Sequence, residues 1–145
     1  MNLNITESEA RKLLELSENA GPELSGFMKQ IAEIAYPPQI INCTPHDISV
    51  MDDNGHIVAT FPGAMDCARV DLRVESTETV CGVPVITRAC VSGSGLPEPQ
   101  YNTLYIVSGV FAQYAPNDRN DLLIVYRPIR DENGSVIGCR GFERI

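Results

Sequence analysis

After Lys29 this sequence contains no lysine. Both lysines, Lys12 and Lys29, lie near the start, and every later cation is arginine: Arg69, Arg73, Arg88, Arg119, Arg127, Arg130, Arg140 and Arg144. With 19 acidic residues against 11 basic ones the formal charge is −8, which excludes wrapping nucleic acid through a broad basic surface. No apolar run approaches the roughly 18 residues of a membrane-spanning helix. Met1-Asn2-Leu3-Asn4 is not the basic-then-apolar start of a secretory signal, so a cytoplasmic protein is expected. Histidine is scarce, at two residues, and the five cysteines are never spaced Cys-x-x-Cys. Reduced, mostly buried thiols are therefore expected, with neither a disulfide frame nor a metal site.

The usual catalytic signatures are also missing. The chain has no Gly-x-x-x-x-Gly-Lys loop, no Gly-x-Ser-x-Gly elbow, no His-Glu-x-x-His, and no Gly-x-Gly-x-x-Gly after a strand. Ser92-Gly93-Ser94-Gly95 is glycine-rich but runs into Leu96-Pro97-Glu98-Pro99 rather than a helix, so it reads as a loop. No cofactor is expected.

What is present begins with a helical hairpin. Thr6-Glu7-Ser8-Glu9 fits a capping box, and Ala10, Leu13, Leu14 and Leu16 follow near helical spacing up to Gly21-Pro22. Leu24, Phe27, Met28, Ile31, Ile34 and Ala35 predict a second helix, ended by Tyr36-Pro37-Pro38. Two short amphipathic helices must rest their apolar faces on the remaining chain or on another copy of it. Strand patterns then take over: 40–42, 48–51, 56–61, 68–74, 77–81, 85–91, 103–107, 122–126 and 136–142. Asp52-Asp53-Asn54-Gly55 and Asp131-Glu132-Asn133-Gly134 predict tight hairpin turns. Ser108 is placed to cap a short helix over 110–114. The expected fold is α+β and mostly β. A helical hairpin over 1–38, an oligomerisation element, precedes a β-rich ligand-binding domain over 39–145, built as an antiparallel curved sheet or small β-barrel.

Chemistry-bearing residues gather in three places. Asn42, Thr44 and His46 set an amide, a hydroxyl and an imidazole at a strand end, and Pro45 forces Thr44 out of helical space. They form either a binding edge or a turn that satisfies its own backbone. Ser108 stands where a strand feeds a helix and is either an anion contact or a simple cap. Asn117-Asp118-Arg119-Asn120-Asp121, with Arg127 and Arg130, offers fork donors and acceptors at both ends of the 122–126 strand, suited to a sugar phosphate. Amides, hydroxyls and arginines without a nucleophile–base pair describe a binding site more readily than a catalytic one.

From Ile41 onward the chain resembles small proteins of bacteriophages and prophages. The shared motifs are Ile-Asn-x-Thr-Pro-His at 41–46, Ala68-Arg69-Val70, Gly82-Val83-Pro84-Val85, Gly95-Leu96-Pro97-Glu98-Pro99, Tyr105-Ile106-Val107-Ser108, and Arg130-Asp131-Glu132-Asn133-Gly134 with Ile137-Gly138. Among such proteins it is similar to the Thoeris anti-defence proteins, which sequester cyclic ADP-ribose-type signals made by TIR-domain immune enzymes. That resemblance implies a β-rich domain, assembly as dimers or larger oligomers, and work in the host cytoplasm. It also implies a ligand held by arginines and by an aromatic ring stacked on adenine. Arg69, Arg119 and Arg130 fall within the phage-like region, and Tyr105 and Phe111 are the aromatic candidates, although no motif fixes either one. The expected function is a non-enzymatic sponge for a cyclic nucleotide, of cyclic ADP-ribose or cyclic oligonucleotide type, with no DNA, RNA or membrane partner. The rivals are an enzyme degrading such nucleotides, with His46 as acid or base, and a structural or interaction protein of a phage.

Overall fold

The computed structural model describes residues 5–145. It is α+β with two N-terminal helices and mostly strands. In chain order the elements are α1 (Glu7–Glu18), α2 (Pro22–Ala35), β1 (Gln39–Asn42), β2 (Ile48–Met51), β3 (Ile57–Phe61), β4 (Arg69–Val80), β5 (Val83–Ser94), β6 (Thr103–Ile106), α3 (Gly109–Gln113), β7 (Leu122–Arg130) and β8 (Val136–Arg144). Six strands form one open sheet in the order β1-β6-β7-β8-β2-β3, and β4 and β5 pair by themselves. Neither sheet closes into a barrel. The larger one is mixed: β7–β8 and β2–β3 are antiparallel, whereas β6–β7 and β2–β8 are parallel. Among the described residues no helix is long and apolar enough to cross a membrane.

The chain divides into two compact units, Met1–Ile40 with Pro99–Leu104, and Ile41–Glu98 with Tyr105–Ile145. The first unit therefore includes a short return segment that the expected boundary at residue 38 left out. Polar bonds explain why this segment belongs there. The Tyr101 N–H donates to the Glu7 carboxylate at 3.0 Å, the Asn102 amide donates to the Tyr36 carbonyl at 2.8 Å, and the Gln39 N–H donates to the Asn102 carbonyl at 2.9 Å. Tyr36 and Tyr101 meet edge to face, 5.8 Å between centroids.

Helix α1 starts as its sequence predicts. The Thr6 N–H donates to Glu9 Oε2 at 2.7 Å, and the Glu9 N–H donates back to Thr6 Oγ1 at 3.3 Å. Gly21 caps α2 and Pro22 occupies its first turn, where no N–H is missed. The buried side chains of the pair are small, namely Ala10, Ser17 and Ala32. Leu16, Leu24, Phe27 and Ile34 stay more than half exposed.

The core of the second unit gathers Cys43, Ala68, Tyr105, Val107, Phe111 and Leu122. Both Asx turns of the large sheet are built alike. Asp52 Oδ1 accepts from the N–H groups of Asn54 and His56, and Asp131 Oδ1 accepts from those of Asn133 and Ser135, all at 2.9 Å. The 68–74 and 77–81 segments, expected as separate strands, run as one. The β4–β5 pairing passes through register shifts at Asp71/Leu72 and Val74/Ser76 without ending. Ser92-Gly93-Ser94, expected in a loop, instead completes β5 opposite Asp71, Val70 and Arg69. Cross-strand pairing overrides the weak strand propensity of glycine and serine there. The chain turns only at Gly95, whose φ is +78° and where a Cβ would run into the Cys67 carbonyl.

The β4–β5 turn is made by Cys81 (φ 51°) and Gly82 (φ 78°), so both central residues are left-handed. Cysteine pays a steric cost in that region that glycine does not, on the order of 1–2 kcal/mol. Cys81→Gly is expected to raise the unfolding free energy by about 1 kcal/mol in urea titration; a variant less stable than wild type would contradict the strained-turn reading.

Candidate functional site

The Asn42–His46 segment resolves as a closed turn. Asn42 is 5% exposed, and its side-chain amide donates to the carbonyls of His46 (2.7 Å) and Phe61 (3.0 Å). Its Oδ1 accepts from the Thr44 N–H at 2.9 Å and from the Thr44 hydroxyl at 2.7 Å. The polar side-chain atoms of Asn42 and Thr44 are committed to one another and to the His46 and Phe61 carbonyls. The His46 imidazole is exposed and makes no hydrogen bond among the described residues; His46 serves the turn through its carbonyl.

Tyr105, Arg119 and Asp121 do come together, but inside the molecule. Arg119 Nε and Nη2 donate to the two oxygens of Asp121 at 2.8 and 2.9 Å, and Nη1 donates to the Pro97 carbonyl at 2.8 Å. The guanidinium lies 5.6 Å from the Tyr105 ring centroid, and the Tyr105 hydroxyl donates to the Glu98 carbonyl at 3.1 Å. Only 10% and 12% of the Arg119 and Asp121 side chains are exposed. Hydrogen bonding to the Asp121 carboxylate pushes the Arg119 guanidinium further into its charged form. This cluster pins the 97–98 segment to the start of β7. It leaves Tyr105, fully buried, with no ring face open to a base.

The other predicted residues are dispersed. Ser108 Oγ accepts from the Phe111 N–H at 3.1 Å, so it caps α3, and Phe111 is 3% exposed within the core. Arg69 is exposed at the first position of β4, opposite Ser94. Arg130 ends β7, where its Nη1 donates to the Gly134 carbonyl at 2.7 Å and clamps the β7–β8 turn. Arg69, Arg119 and Arg130 are thus three separate placements: Arg69 exposed without a partner among the described residues, Arg130 exposed on the Gly134 carbonyl, and Arg119 nearly buried on Asp121. Tyr105 and Phe111 are core rings.

A different constellation lies on the β7–β8 ladder. The register pairs Tyr126 with Gly141 and Pro128 with Cys139, which leaves Arg127 facing Arg140 across the strands. Arg127 has φ +47° and sits between an exposed tyrosine and a proline. Its guanidinium lies 5.2 Å from the Tyr126 ring centroid and makes no hydrogen bond or ion pair among the described residues. Arg140 Nη1 donates to the carbonyls of Asp52 and Met51, and it stands 3.6 Å from the Asp53 carboxylate. These side chains border an open recess of about 510 Å³. The one sequence signal was Arg127-Pro128 itself, since proline inside a strand requires a local break in the ladder.

Among the described residues no three His, Cys, Asp or Glu side chains cluster as metal ligands. Comparison with known proteins finds no matching family, no matching curated protein and no matching solved structure.

Removing Arg119 strands a buried carboxylate, so Arg119→Ala is expected to cost about 3–5 kcal/mol of stability. Asn42→Ala removes four hydrogen bonds, to the His46 and Phe61 carbonyls and from the Thr44 N–H and hydroxyl, and is expected to cost about 3 kcal/mol. His46→Gln is expected to unfold within about 0.5 kcal/mol of wild type, as exposed changes do. Equal losses across the three variants in denaturant titration would show that the two clusters are not the frame described.

Proposed function

We propose that this is a phage or prophage anti-defence protein, working in the host cytoplasm, that binds a cyclic ADP-ribose-type or cyclic oligonucleotide signal and holds it without cleaving it. One observation carries the reading. In a chain with 19 acidic residues, Arg69, Arg73, Arg88 and Arg127 are exposed and make no ion pair or hydrogen bond among the described residues. Exposed arginines in so acidic a protein have many carboxylates to choose from. Guanidinium forks left open suit phosphate, which they bind bidentately. The phage-like motifs add support of a second kind.

Sequestration, hydrolysis and mere scaffolding give different products. The protein is incubated with a cyclic ADP-ribose isomer, separated from free ligand, heated, and the released nucleotide run by chromatography. Intact nucleotide is expected. Altered nucleotide would favour the degrading enzyme, with His46→Gln as its check, and an empty protein would favour a phage interaction protein.

We further propose that the helical hairpin makes a subunit contact. Leu16, Leu24, Phe27 and Ile34, each more than half exposed, are what supports this, because four large apolar side chains on two short helices gain by leaving water. Replacing Leu24 and Phe27 together by lysine is expected to lower the mass measured by light scattering while the far-ultraviolet spectrum is kept. A wild-type chain that runs as a monomer would sink the idea.

A further inference from the structure

We infer that Arg127 and Arg140 form an anion site on the β7–β8 ladder, taking a phosphate group between two guanidinium forks and a planar ring against the Arg127–Tyr126 stack. Two costs and one open capacity are concentrated there. Like charges set directly across an antiparallel pair repel one another. A non-glycine residue with φ +47° carries backbone strain, and such strain gathers at binding sites. An exposed guanidinium without a hydrogen bond in the protein still has its five donors to give. A bound phosphate offsets the first cost and uses the open capacity.

The carboxylates around the recess do not stand in the way. Asp52 spends Oδ1 on the N–H groups of Asn54 and His56, and its Oδ2 lies 3.4 Å from His56 Nδ1. Asp53 stands 3.6 Å from Arg140 with its side chain wholly exposed, so it is loosely held, and Asp52 is held in its charged form more by its own turn N–H groups than by the Arg140 charge. The Arg140 guanidinium is fixed by the Met51 and Asp52 carbonyls, which sets one fork in place before any ligand arrives. Arg127 lies over the Tyr126 ring, and its outer face is where a second flat group would stack. The ring half of the ligand rests on the nucleotide reading above, whereas the anion half stands on the geometry of the two arginines alone.

Arg127→Gly separates a binding role from a structural one, because glycine adopts φ +47° freely. Wild type, Arg127→Gly, Arg127→Lys and Tyr126→Ala are titrated calorimetrically with pyrophosphate, with ADP-ribose and with a cyclic ADP-ribose isomer, alongside thermal unfolding. The glycine variant is expected to unfold at a temperature no lower than wild type while losing on the order of ten- to a hundredfold in affinity for all three probes. Lysine should fall between, keeping the charge without the fork. Tyr126→Ala should weaken the two ring-bearing probes and leave pyrophosphate unchanged. If the glycine variant binds the cyclic nucleotide as wild type does, the site is overturned and the nucleotide reading stands. If wild type takes pyrophosphate through Arg127 but refuses both nucleotides, the site stands and the cyclic ADP-ribose form of that reading fails. Wild type that takes none of the probes, or a glycine variant that unfolds earlier, overturns the site.

Discussion

The second unit depends on one buried ion pair. Arg119 grips both oxygens of Asp121 and reaches the Pro97 carbonyl, while its flat face covers Tyr105. Three stretches of chain are tied at this point: the segment after β5, β6, and the end of the loop that leads from α3 into β7. The parallel pairing of Tyr105 with Leu122 sits beside it, and the Tyr105 N–H donates to the Asp121 carbonyl at 2.8 Å. A buried pair of this kind adds little over a well-packed apolar replacement, yet it is costly to break, and it fixes which segments meet. Arginine suits the task because its fork matches a carboxylate and its plane stacks on a ring.

That use of arginine divides the cations into two groups. Arg119 and Arg130 satisfy carbonyls and carboxylates of their own chain, one in the core and one at a turn. Arg69, Arg73, Arg88 and Arg127 find no such partner among the described residues, and they remain open in a protein of strongly negative charge. Arg140 belongs to both groups, held by carbonyls at one nitrogen and turned beside Arg127. The anion site proposed on the ladder follows from this division: one guanidinium is preset by the fold, and the other is strained and unspent.

Local features were legible in the sequence. Thr6 and Glu9 announced the start of α1, Gly21-Pro22 the break between the two helices, and two Asp-x-Asn-Gly turns the hairpins, because each of these is settled within four residues. The α+β class followed from the change of hydrophobic period after Pro38. What lay beyond reach was anything decided by distant partners. The parallel β6–β7 and β2–β8 contacts, the single long β4, and the membership of 99–104 in the first unit depend on which segments pair, not on the residues within any one of them. Which of the candidate site residues come together was out of reach for the same reason. Arg119 and Arg127 are alike as letters, and only the register of β7 on β8 and the position of Asp121 tell the buried clamp from the open one. Asn42 and Thr44 were read with both outcomes in view, and the turn that satisfies itself is the geometry found. Tyr105 lies within the apolar run 103–107, which is typical of a central strand, and its burial agrees with that run rather than with a stacking role; Phe111, in a short helix, carried no such signal.

The central claim is that Arg119 is architecture and Arg127 is the open donor. Side-chain Nε–H resonances of arginine, followed by nitrogen-15 NMR as pyrophosphate is added, test it most directly. The account predicts that the Arg127 and Arg140 signals shift in a saturable way while the Arg119 signal stays fixed and protected from exchange with water. A moving Arg119 signal beside an unchanged Arg127 would contradict it.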